Sequence, residues 1–99
     1  MRMGTTPPHT FVLPKNVGAI EKVLITYTQA DRLILEKTEK DCTVDGHVVK
    51  TRLTQEETFL FTPKVEVEVQ IRVKTTGADV LGSDVVRISC ERCLSNEVL

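Results

Sequence analysis

Residues 65 to 74 read Val-Glu-Val-Glu-Val-Gln-Ile-Arg-Val-Lys, an unbroken alternation of β-branched and polar side chains. Successive side chains of a strand project to opposite faces, so Val65, Val67, Val69, Ile71 and Val73 share one face and the polar residues share the other. On a helix the same apolar residues would scatter around the cylinder. One apolar and one polar face define an antiparallel strand covered on one side, and that face needs a second layer to bury it.

Less regular alternation predicts the other strands. Over 10–13, Phe11 and Leu13 share a face; over 23–28, Val23, Ile25 and Tyr27 do. Residues 32–37 put Leu33 and Leu35 opposite Ile34. Residues 43–44 run into Asp45-Gly46, which predicts a type I′ hairpin because both residue types tolerate positive φ. The following strand, 47–53, places Val49, Thr51 and Leu53 inward and Lys50 and Arg52 outward; a last strand covers 85–93. Thr54 and Glu57 have capping-box spacing, which predicts one helical turn crossing between sheets, with Phe59 or Phe61 closing the end of the core.

Turn-forming residues recur about every ten positions, as in sandwiches. The expected fold is an all-β, immunoglobulin-like antiparallel sandwich of about seven strands with one short helical turn. Its domain is expected over 9–95, with a flexible N-terminal arm over 1–8 and a C-terminal tail over 96–99. The expected core is Phe11, Leu13, Val23, Ile25, Leu53, Val67, Val69, Ile71, Val73, Val86 and Ile88. A type II′ turn at Gly77-Ala78 would set Glu68 opposite Arg87, Val67 opposite Ile88 and Val65 opposite Cys90. That register turns Asp84 inward against Ile71, unless a bulge near Gly82-Ser83 intervenes.

The 99 residues suit one domain, and 40% hydrophobic with 27% charged residues argues against disorder. A net charge of −1, with both signs interspersed, leaves no basic stripe for nucleic acid. No apolar run approaches the ~20 residues that span a bilayer, and no apolar segment follows Met1 as in a secretory signal, so neither membrane nor export is expected.

Three cysteines without a signal are expected as free thiols. Cys90-Glu91-Arg92-Cys93 is a C-x-x-C, but redox motifs of that kind open a helix, whereas this one ends a predicted strand that places the two sulfurs on opposite faces. Cys42, His47, Cys90 and Cys93 could make a four-ligand zinc site, although the glycines usual around the second pair are lacking. The competing reading takes Cys90 as a small core side chain and His47 and His9 as exposed. Glu39, Asp41 and Asp45 lack the ligand order of a calcium loop. With no G-x-S-x-G, no phosphate loop and two histidines near turns, the chain is expected to be no enzyme and to hold no cofactor or metal.

From Asp45-Gly46 through Thr54-Gln55-Glu56-Glu57-Thr58, Val67–Val73, the Gly77 turn and Ser83-Asp84-Val85-Val86-Arg87-Ile88, the sequence resembles small phage and prophage proteins related to the N-terminal β-sandwich domain of phage baseplate upper proteins. Thr10-Phe11-Val12-Leu13 fits their first strand. The resemblance implies a virion structural or interaction module of tail, baseplate, neck or head decoration, assembled in the bacterial cytoplasm and binding other virion proteins or itself. Unlike in the baseplate proteins, no long stalk is expected after Leu99. The alternatives are a host adhesin- or carbohydrate-binding-like module and a small zinc protein. Leu33, Ile34 and Leu35 in succession ask for cover on both faces of their strand, and mark a candidate interface.

Overall fold

A computed structural model describes all residues except 14–17, 78–79, 83–85 and 96–97. The strands are β1 (Pro8–Val12), β2 (Ile20–Gln29), β3 (Arg32–Thr38), β4 (Cys42–Asp45), β5 (Val48–Arg52), β6 (Val67–Thr75), β7 (Val80–Gly82) and β8 (Val86–Ile88). A 3-10 turn, Glu39–Asp41, leads into β4, and one helical turn, α1 (Gln55–Thr58), follows β5. All pairs between these strands are antiparallel. A three-stranded sheet runs β1-β5-β4; a five-stranded sheet runs β3-β2-β6, with β7 and β8 both paired to the far side of β6. The chain is an all-β, immunoglobulin-like antiparallel sandwich with a short helical turn.

β2 and β6 form the centre. Their register sets Val23 against Val73, Ile25 against Ile71 and Tyr27 against Val69, all buried. Val49 and Leu53 meet them from the smaller sheet. Burying each such side chain contributes about 1.5–3 kcal/mol, so this cluster supplies most of the driving force. Of the expected core, Phe11, Leu13 and Ile88 are only partly buried against it, and Val86 is 52% exposed.

α1 is fixed by its cap. The Thr54 hydroxyl accepts from the Glu57 N–H at 3.1 Å, and the Glu57 carboxylate accepts from the Thr54 N–H at 2.8 Å. Phe61, 2% exposed, closes the core and meets Tyr27 edge-on at 6.0 Å, while Phe59 is half-buried. Buried Gln29 ties the end of β2 to the approach to β6: its amide donates to the carbonyls of Thr62 and Val65, and its oxygen accepts from the Thr62 N–H.

Three expectations are corrected. Leu33 and Leu35 do not share a face. Tyr27 pairs with Leu35 and Thr28 with Leu33, so Ile34 is the extra residue of a β-bulge that turns Leu33 away from the core. The type I′ turn is at Ala30-Asp31, where both φ angles are positive (49° and 63°), and not at Asp45-Gly46. Asp45 pairs with Val48, so Gly46-His47 form that turn, with Gly46 alone at positive φ (59°). The last expected strand is shorter: β8 ends at Ile88, and Cys90 and Cys93 lie beyond it.

The hairpin register holds in part. Val67 pairs with Ile88 and Glu68 with Arg87, as the sequence predicts. Nearer the turn, Arg72 pairs with Gly82 and Lys74 with Val80, one residue out of step. The expected bulge near Gly82-Ser83 falls on residues 83–85, which lie outside the described residues. The turn residues Ala78 and Asp79, and the side chain of Asp84, lie outside the described residues.

Residues 1–7 run along the sandwich. The Met3 N–H donates to the Glu91 carbonyl at 3.0 Å, and the Glu91 N–H donates to the Met1 carbonyl at 2.8 Å. Met3 is buried, and the Leu53 N–H donates to the Pro7 carbonyl. Gly4 sits at φ +76°, and a Cβ there would lie 2.9 Å from the Phe59 ring.

Candidate interaction surfaces

Polar groups that the sandwich encloses serve structure. Lys37 lies on the core face of β3, opposite Ile25, and reaches the Glu57 carboxylate at 2.7 Å. Burial pushes the Glu57 carboxyl up, but the hydrogen bonds from Lys37 and Thr54 outweigh it and hold it below the ordinary value. The pair clips the β3 edge to the turn that joins the sheets. His9 does not sit free in an arm: it is a half-buried β1 residue whose Nδ1 lies 2.7 Å from the Tyr27 hydroxyl. Burial lowers the His9 pKa and, with the charges of Cys42 and Glu57, raises that of Tyr27.

The four candidate zinc ligands do not converge. Cys42 and His47 occupy opposite ends of the β4–β5 hairpin. Cys90 is buried, its carbonyl accepting from the Lys64 N–H, and burial raises its thiol pKa as it does that of Cys42. Among the described residues no three His, Cys, Asp or Glu side chains are grouped to hold a metal. Cys93 faces an open cleft of about 700 Å³ at the end of the sandwich, lined also by Met3, Phe59, Phe61, Arg92 and Leu94.

What the chain offers outward is surface. Of the candidate interface, Leu33 is 58% exposed, whereas Ile34 and Leu35 pack against the core of their own chain. Sequence reasoning missed a second apolar strip at the opposite edge of the same sheet. Leu81 pairs with Val73 and Val86 with Val69, so both point to the core side, yet they are 38% and 52% exposed. Three strands standing against five leave this edge uncovered. Its only sequence signal was the run Val80-Leu81, which strand alternation alone does not assign to an edge. Of the four aromatic side chains, Tyr27 and Phe61 are buried and Phe11 and Phe59 half-buried. No helix of the described residues is long and apolar enough to cross a membrane.

These features define a small immunoglobulin-like β-sandwich with a short helical turn. No protein-family model and no curated protein matches the sequence. Among solved structures it is similar to the V domain of amphioxus IgVJ-C2, with 13% identity over 92% of this chain and 95% of that one, at a TM-score of 0.41.

Proposed function

We propose that the chain is a non-enzymatic interaction module that docks on a neighbouring protein through the strip of Leu81 and Val86, and that it serves as a structural component of a phage or prophage particle. The observation that carries the docking reading is the exposure of two core-side residues on β7 and β8. Apolar side chains aligned on one sheet face gain from being covered by a partner. The virion assignment is supported by the sequence resemblance of the C-terminal half, and it carries with it assembly in the bacterial cytoplasm.

Particles released by inducing prophages in the source bacterium should contain the chain. A folded Leu81→Asp/Val86→Asp variant should be left out of them. A wild-type chain missing from all particles contradicts the virion assignment; a double variant incorporated like the wild type contradicts the strip.

A further inference from the structure

The outward face of the five-stranded sheet is separate from the strip and has its own pattern. Along β6 it shows Lys74, Arg72, Gln70 and Glu68, paired with Lys22, Leu24, Thr26 and Thr28 of β2. Val80 and Gly82 flank the cationic end, and Arg87 flanks Glu68. Among the described residues, Arg72, Lys74 and Glu68 have no ion-pair partner, whereas Arg87 is engaged by Glu66 at 3.3 Å. Charge is therefore segregated along one strand, Lys74 and Arg72 at one end and Glu68 at the other, with the uncharged Thr26–Gln70 pair between them.

That arrangement is self-complementary. A two-fold axis lying parallel to the face, across the strands and through Thr26 and Gln70, exchanges the two ends. It sets Arg72 over Glu68 of the second copy, and Leu24 over Thr28 of the second copy. Gly82, lacking a side chain, leaves room for Arg87 of the second copy. Each contact occurs twice, as a two-fold interface requires. We propose that this face binds a second copy of the chain, sheet to sheet. With strands rising about 3.3 Å per residue and lying about 5 Å apart, the face measures roughly 30 by 18 Å; two copies bury roughly 1,100 Å², the size of a weak, reversible dimer. Glu36, opposite Thr26 on β3, meets its own copy at the rim and opposes the contact.

The test is sedimentation equilibrium of the full chain up to millimolar concentration, at low and high salt. The wild type dimerises, more weakly as salt screens the pairs. Arg72→Glu and Glu68→Arg each reverse two pairs and weaken self-association about a hundredfold, about tenfold per pair. Mixing the two variants restores the dimer, because the carboxylate introduced in one then faces the guanidinium introduced in the other. Glu36→Gln tightens the wild-type dimer. Circular dichroism melting confirms that these surface variants remain folded. A monomeric wild type overturns the proposal, as do single variants that dimerise unchanged or a mixture that stays monomeric. A dimer lost in Leu81→Asp/Val86→Asp but kept in Arg72→Glu also overturns it, and places self-association at the strip instead.

Discussion

Lys37 shows how a charged residue can belong to a core-facing position. The alternation of β3 points it inward, where an unpaired ammonium would cost several kcal/mol, and Glu57 answers it across the gap between sheets. Removing the carboxylate takes away a cap and strands that charge, so Glu57→Ala should destabilise by about 3 kcal/mol in urea unfolding. Lys37→Met leaves the capping box intact and should cost less. Glu57 titrates below its ordinary 4.5 in the folded chain, so its contribution is present above that pH and fades as pH falls through the lowered value. His9 adds a second acid-sensitive group of the same sign. Its folded pKa lies below 6.5, so the native state prefers the neutral ring; that preference is complete above 6.5 and is lost as pH falls through the depressed value. Melting temperature should therefore drop as pH falls below about 6.5, and His9→Phe should flatten the drop in that range. Neither pair was legible beforehand, because each joins residues far apart in sequence through a crossing of the two sheets.

At the scale of elements, legibility followed regularity. β6 was readable because its alternation runs unbroken for ten residues, and Val49, Thr51 and Leu53 for the same reason over a shorter span. β3 defeated the reading because one bulged residue, Ile34, flips the faces on either side of it. The Asp45-Gly46 signal marked the right hairpin but the wrong pair, since the ladder extends through Asp45. At Ala30-Asp31 the chain holds two non-glycine residues at positive φ, each strained by about 1 kcal/mol, and no sequence rule would have chosen Ala there. Replacing the pair by Ala30→Asn/Asp31→Gly should stabilise the domain by about 1 kcal/mol, read as a raised melting temperature. An unchanged or lowered value would show that the turn is not of this type. Gly4→Ala should do the opposite, because its Cβ would enter the Phe59 ring in a conformation that favours glycine.

For the whole molecule, three strands over five decide both stability and surface. The core lies where the sheets overlap, along β2, β5 and β6, and Val69→Asp in its middle should unfold the chain, since an unpaired buried charge costs about as much as a small domain's entire stability. Where the overlap ends, the same sheet face passes from buried Val69 and Val73 to exposed Val86 and Leu81 across one strand spacing. That step could not be read from the sequence, because alternation assigns a face but not what stands above it. Methyl relaxation by a soluble gadolinium chelate, on dilute monomeric protein, measures the step directly. Val67, Val69, Ile71, Val73, Val49 and Leu53 should be shielded, while the Leu81 and Val86 methyls are strongly relaxed. Leu81 and Val86 as shielded as Val73 and Val69 would contradict the account, because the smaller sheet would then cover the edge and leave no strip for a partner.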